Sequence, residues 1–184
     1  TANGPFSQDE GVRFDATMEG MALVKTLIEG GSITAANASQ MTDGASGTLV
    51  ASADAVKRFG LNPIARIGNL TVTAGDPVIM LEEPIRATQR ALERSGLKLD
   101  EIDLFEVNEA FASVPMAWLQ ALGGDPAKLN VNGGAIALGH PLGGTGTKLM
   151  STLLHALRAR RGRYGLQTMC EGGGIANVTI VERL

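Results

Sequence analysis

The sequence holds a single cysteine, Cys170, and two histidines among its 184 residues. One thiol excludes an internal disulfide framework, and three such ligands fill a zinc site only with help from several carboxylates. Aromatic residues are 4% of the chain against 44% apolar, so the core has to be aliphatic. No run approaches the roughly 20 apolar residues of a membrane helix, and no signal-peptide pattern opens the chain. Sixteen basic against nineteen acidic residues give a formal charge of −3. That argues against a nucleic-acid binder, whose footprint is a strongly basic face. The length suits one ordinary domain or one large half of a two-domain enzyme. The first residue is Thr1, and Thr1 to Glu10 carries no cap or strand signal. This start reads as that of a chain cut from something longer, or processed.

Glycine is abundant instead: 24 residues, about 13% against a usual 7% or so. The glycines cluster, which marks sites rather than a flexible linker. Between the clusters, apolar periodicity predicts the elements. Thr17 caps a helix carrying Met18, Met21, Val24, Leu27 and Ile28 and stopping at Gly30-Gly31. Short strands are expected at 33–36 and 48–51, and a helix at 52–59. Gly60-Leu-Asn-Pro63 then breaks the chain and is the best domain boundary. A β-branched strand follows over 64–73, a helix over 82–95, a strand over 102–107, a helix over 110–122 and a helix over 148–161. Two strands, 166–170 and 175–181, close the chain around Gly172-Gly173-Gly174. Strands alternating with helices and ending in a hairpin argue an α/β protein with a mixed sheet covered by helices.

Four segments at element junctions hold the residue types that carry chemistry, and α/β proteins build sites at strand ends. Cys170 alone reads as a small buried residue. Followed by three glycines, whose bare backbone presents N–H groups to a substrate oxygen, it can act on a carbonyl compound as nucleophile or as acid and base. His140, held between Gly139 and Pro141, can donate to an oxyanion or activate a thiol; the plainer alternative is a loop histidine bonded to backbone. Asn108 either caps a helix or orients a water or oxyanion. Ser39 either closes a turn or contacts a ligand. His155 flanks a leucine stripe and reads as a surface residue. The glycine-rich stretch is not a phosphate loop, because Thr145 and Gly146 stand where Lys and Ser or Thr are required. It also lacks the dinucleotide fingerprint, and no G-x-S-x-G elbow occurs anywhere.

Together these segments resemble the C-terminal half of the thiolase family. Asn37-Ala-Ser-Gln-Met-Thr-Asp-Gly44 resembles its NASGxxDG block, and Asn108-Glu-Ala-Phe-Ala112 its NEAFA block. The segment from Asn132 to Gly146 resembles NGGAIALGHPxGxxG, and Cys170 to Gly174 resembles the closing CxGGG block. The resemblance runs from Thr17 to the end in the correct order. The NEAF block separates it from the sterol-carrier thiolases, which place a histidine at the Asn108 position, and the closing cysteine separates it from the ketoacyl synthases. It implies a thiolase-like fold half with a mixed five-stranded sheet. Residues 1–40 would be the remainder of a loop region covering coenzyme A, 41–60 the tail of the N-terminal half, and 61–184 the C-terminal domain.

The resemblance also implies acyl transfer between coenzyme A thioesters: thiolysis of 3-ketoacyl-CoA, or condensation of two acetyl-CoA molecules. His140 would activate a nucleophilic cysteine and help bind the thioester oxygen. Cys170 would be the general acid and base, Asn108 would hold a water in one oxyanion hole, and the Gly172 N–H would serve the other. Ser39 matches a residue on the pantetheine arm, Met80 and Phe111 match positions lining that tunnel, and Arg13 matches a CoA-phosphate arginine. No tightly bound cofactor and no metal are implied; coenzyme A is a substrate. Expected partners are acyl-CoA, a thiolase N-terminal half carrying the nucleophilic cysteine, and further copies of the chain, with no nucleic acid and no membrane. A bacterial cytoplasm is the expected location. A half of a larger molecule is also expected to expose apolar surface. Two departures stand out. Leu81-Glu-Glu-Pro84 replaces a commoner GxGP segment, and Glu171 replaces a frequent apolar residue. The Cys-Glu-Gly-Gly-Gly form favours the degradative direction. The competing readings are a non-catalytic acyl-CoA binding module of the same fold and half of a condensing synthase.

Overall fold

The computed structural model describes residues 4–184, so the first three residues of the segment assigned above to 1–40 lie outside it. Ten elements follow in order: α1 (Met18–Ala22), α2 (Ala53–Phe59), β1 (Ala65–Ala74), α3 (Glu83–Ser95), β2 (Leu104–Val107), α4 (Ser113–Leu122), α5 (Ala135–Leu138), α6 (Thr145–Arg160), β3 (Tyr164–Glu171) and β4 (Ile175–Arg183). The strands form one mixed sheet in the order β1-β4-β3-β2. Pairing is antiparallel for β1 with β4 and β3 with β4, and parallel for β2 with β3.

The α/β class and the helix-covered mixed sheet are as expected, but the sheet has four strands among the described residues, not five. The place beside β2 is taken by Leu129 and Asn130. Leu129 makes one parallel bridge with Phe105, and the Asn130 N–H donates to the Phe105 carbonyl at 2.9 Å. A positive φ of 44° at Asn130 then turns the chain away. Its side-chain amide continues the ladder, accepting from the Val107 N–H and donating to the Val107 carbonyl, each at 2.9 Å. A side chain thus satisfies backbone groups that a fifth strand would otherwise have to pair.

Near the start the expectations also shorten. α1 ends at Ala22 rather than near Ile28, because nothing packs on its apolar stripe; Met18, Leu27 and Ile28 are all exposed. Short helices persist mainly through such packing. Of residues 33–36 only Thr34 pairs, in one bridge to Thr26, and 48–51 form no strand. The 52–59 helix is present, with the Ser52 side chain capping the Ala55 N–H.

On one face of the sheet, α3 and α4 cover Phe105, Val107, Leu166, Val178 and Ile180. Trp118 is the largest side chain there. Its indole N–H donates to Thr88 Oγ1 at 2.9 Å, and that hydroxyl donates to the Pro84 carbonyl at 2.8 Å, so burying these polar atoms leaves none unsatisfied. On the other face α6 packs Leu153, Ala156 and Leu157 on Leu104 and Val181. That helix lies mainly over β2 and β3 and meets β4 through Val181. On the uncovered part, Leu70 and Val72 of β1 are 59% and 66% exposed. No described helix is long and apolar enough to cross a membrane.

Gly165 sets how near α6 approaches the sheet. A Cβ there would lie 2.8 Å from Leu157 and 3.0 Å from Leu153. Gly165→Ala is therefore expected to destabilise the chain by about 1–3 kcal/mol through overpacking, read as a lower urea midpoint at unchanged slope. An unchanged midpoint would contradict this packing.

Candidate active site

Chain direction brings the chemistry to one end of the sheet. α6 reverses through Arg161 and Gly162 into β3, so the start of the helix meets the end of the strand; a Cβ on Gly146 would touch Met169 Sδ at 3.7 Å. β2 runs parallel to β3 and finishes at the same end, where the Asn108 N–H donates to the Thr168 carbonyl at 3.0 Å. Asn108, Cys170 and the loop before α6, which carries His140, therefore share one rim.

His140 enters from Gly139, whose φ of +88° suits glycine and whose Cβ position lies 2.6 Å from Thr42. The His140 N–H donates to the Gln40 carbonyl at 2.7 Å. Its Nδ1 stands 2.7 Å from Thr145 Oγ1, and that hydroxyl donates to the Pro141 carbonyl at 2.8 Å. With the one hydroxyl proton committed to Pro141, Nδ1 must be the donor to Thr145, which makes Nε2 the basic nitrogen of the neutral ring. Burial holds the His140 pKa below the ordinary histidine value, so the ring is neutral near pH 7 and can accept a proton.

Asn108 is not a helix cap, since α4 starts at Ser113 with Ala112 at its cap position. It is 2% exposed, and neither its Oδ1 nor its Nδ2 has a hydrogen-bond partner among the described residues. A buried amide without partners is costly, and it offers a donor and an acceptor to a small polar guest. Cys170 is half-buried at the end of β3. Burial raises its thiol pKa, and the charge of Glu171 adds to the rise, so the group is a thiol at neutral pH and can give up a proton. The following turn needs its glycines. Gly173 and Gly174 have φ of +78° and +81°, and a Cβ on Gly174 would lie 2.8 Å from the Asp76 carbonyl. Gly172 is exposed, with open space at its Cβ position.

The remaining candidates divide. Ser39 lies in a strap, residues 37–41, that joins the two loops. Asn37 accepts from the Ala112 N–H, Ala38 bridges Phe111, the Ser39 N–H and hydroxyl donate to the Ala110 carbonyl, and Met41 bridges His140. Ser39 and Phe111 are thus tied directly between Asn108 and His140. Met80, at a positive φ of 32°, belongs to the turn after β1, which is pinned to the closing hairpin where the Gly75 N–H donates to the Gly174 carbonyl at 2.8 Å. Arg13 stands apart on an exposed stretch, tethered through the Gly11 carbonyl to Gln40 Nε2 at 3.0 Å. His155 is exposed on α6. Among the described residues no group of three or more His, Cys, Asp or Glu could hold a metal ion.

Four side chains to which the sequence assigned no role in the site lie in or behind it: Thr145, Asn130, Glu109 and Glu106. Glu109 accepts from Asn130 Nδ2 at 2.9 Å and from the Ile136 N–H at 3.1 Å. Glu106, buried in β2, has its pKa pushed up to about 7 by burial, against the pull of Lys148 and with a further push from Glu109. A glutamate inside an apolar strand was the available signal for Glu106. Nothing local distinguishes Thr145 from other loop hydroxyls.

The Cys170 environment is open to direct test. Its alkylation rate should follow a thiol pKa above that of free cysteine. Glu171→Gln should bring that pKa down without normalising it, because burial is the larger cause. A pKa at or below that of free cysteine would contradict the described environment.

Comparison with known proteins accords with this arrangement. Residues 61–183 match the family model for the thiolase C-terminal domain, and residues 2–54 match that for the thiolase N-terminal domain. A steroid 3-ketoacyl-CoA thiolase of Mycobacterium tuberculosis is 60% identical over 184 residues, all of this chain and 45% of the relative. A crystal structure of the Bacillus anthracis acetyl-CoA acetyltransferase superposes with a TM-score of 0.93 at 40% identity, covering 97% of this chain and 46% of that one. Human mitochondrial 3-ketoacyl-CoA thiolase in complex with CoA does so with a TM-score of 0.90, at the same identity and coverage. The chain spans under half the length of these proteins. A C-terminal family model covering well over half of the sequence, on the matching fold, makes the chain a member of the thiolase family.

Proposed function

We propose that this chain is the C-terminal catalytic half of a thiolase that transfers acyl groups between coenzyme A thioesters, with thiolysis of a 3-ketoacyl-CoA as its direction. The observation that carries the reading is the meeting of a neutral His140, a protonated Cys170 and an orphaned Asn108 amide at one rim of the sheet. Claisen chemistry needs a proton shuttle and oxyanion donors around one carbon. In this reading a cysteine thiolate on an N-terminal half that lies outside these 184 residues attacks the 3-keto carbon, and His140 assists its formation. The bond between C2 and C3 breaks, and the Cys170 thiol protonates the departing α-carbon. The Cys170 thiolate then takes the proton of incoming CoA, whose sulfur accepts the acyl group and releases the nucleophile. Asn108, through a water, and the Gly172 N–H stabilise the oxyanions. Ser39, Phe111, Met80 and Arg13 contact the CoA arm. No tightly bound cofactor takes part.

The same reading assigns residues 1–40 to a CoA-covering loop region, 41–60 to the tail of the N-terminal half and 61–184 to the C-terminal domain. Exposed Leu70 and Val72 offer apolar surface to other chains, either the N-terminal half or further copies of this one. The 60%-identical relative is named for steroid 3-ketoacyl-CoA, so a polycyclic 3-ketoacyl-CoA belongs in the substrate panel beside acetoacetyl-CoA.

The test is thiolysis by the 184-residue chain with and without a thiolase N-terminal half that carries the nucleophile. Turnover is expected only from the pair, and His140→Asn or Cys170→Ala should lower kcat by about 100-fold or more. Turnover by the chain alone would overturn the proposed division of labour. CoA binding by an inactive pair would favour the binding-module reading instead.

A further inference from the structure

We infer that Asn130 and Glu109 are positioning residues for the reaction: together they hold the chain before and after Asn108, at the Val107 backbone and the Glu109 side chain, and tie it to the loop that carries His140. The inference rests on the thiolase reading above.

Among the described residues, nothing hydrogen-bonds the Asn108 side chain to orient it. Its aim must come from its place in the chain, which is held at three successive residues: through the backbone at Val107 and Asn108, and through the side chain at Glu109. Asn130 holds Val107 by both its N–H and its carbonyl, each at 2.9 Å. Thr168 of β3 accepts the Asn108 N–H at 3.0 Å. Asn130 Nδ2 also donates to Glu109 Oε1 at 2.9 Å, so one side-chain amide brackets Asn108 from before and after. The second Glu109 oxygen accepts the Ile136 N–H at 3.1 Å, in the first turn of α5. α5 ends at Leu138 and runs through Gly139 directly into His140. A Cβ on Gly134 would lie 2.1 Å from the Glu109 carboxyl carbon, so the glycine is what lets the carboxylate reach. Two groups of the site, far apart in sequence, thereby share one rigid frame, and small displacements in such frames are costly to rate.

The polarity of the clamp makes it testable. In Glu109→Gln, one of the two positions facing N–H donors becomes a donor itself. In Asn130→Asp, an acceptor faces the Val107 carbonyl and the Glu109 carboxylate. In the paired variant, the new amide at 109 donates to the new carboxylate at 130 and restores that contact with reversed polarity.

Two measurements decide the matter. Amide exchange on the 184-residue chain should be about 10-fold faster or more at Val107 in Asn130→Ala and at Ile136 in Glu109→Gln. In the chain paired with its N-terminal half, each single variant should lower kcat for acetoacetyl-CoA thiolysis by about 10- to 100-fold, with KM for CoA held within about twofold. The paired variant should lose less than Asn130→Asp alone, because groups in contact are non-additive. Unchanged exchange at both amides, or strictly additive losses in kcat, would overturn the clamp. An inactive unsubstituted pair would sink the thiolase reading itself, and amide exchange would then judge the clamp alone. If Asn130→Ala does not fold, Glu109→Gln and the paired variant carry the same comparison.

Discussion

The parallel pairing of β2 with β3 is the constraint from which the site follows. It makes both strands end together, so that Asn108 leaves β2 bonded to Thr168 and Cys170 lies two residues further along β3. The tight return from α6 into β3 adds the third component, because a helix that runs back along the sheet must start where the strand stops. A one-residue slip in this register would exchange the two faces of β3. It would send Cys170 to the α6 side and Met169 to the side of α3 and α4.

Around that frame the chain satisfies its backbone with side chains where strands run out. Asn130 stands in for a fifth strand, Glu109 receives the first turn of α5, and Thr145 fixes the ring of His140 while bonding Pro141. The strap at 37–41 closes the arrangement by bonding both loops. The His140 ring and the chain around Asn108 are thus held by polar groups behind them, the usual way to keep a reacting constellation rigid. Glu106 departs from this pattern. Its carboxyl is buried beside β3, with one oxygen unpartnered among the described residues, and a pKa pushed up to about 7 by burial leaves it part protonated near neutrality.

Apart from the four-residue α5, the regular elements after Gly60 were legible, most through a periodic buried face: the α3 pattern of Thr88 and Ala91, the leucines of α6, and the alternation of β4; β2 was legible as a short run with few charges. Much of the segment before Gly60 was not, because most of its large apolar residues, Met18, Leu23, Leu27, Ile28 and Leu49 among them, are exposed, and periodicity there has little to act on. The fifth strand failed for a different reason, since a left-handed asparagine supplied the hydrogen bonds from its side chain. His140, Cys170 and Asn108 were legible through their glycine and proline neighbours, which advertise open or fixed backbone. Their supports, Thr145, Asn130 and Glu109, were not, since each acts through contacts that only the fold creates. Asn108 was equally readable as a helix cap until the helix was found to begin five residues later.

The most direct test of the account is a crystal structure of this chain joined to a thiolase N-terminal half and soaked with CoA. The account predicts the CoA sulfur within hydrogen-bonding reach of both His140 Nε2 and Cys170 Sγ, with a water on the Asn108 amide. A CoA sulfur remote from this rim, or an Asn108 amide bonded to protein in place of water, would contradict it.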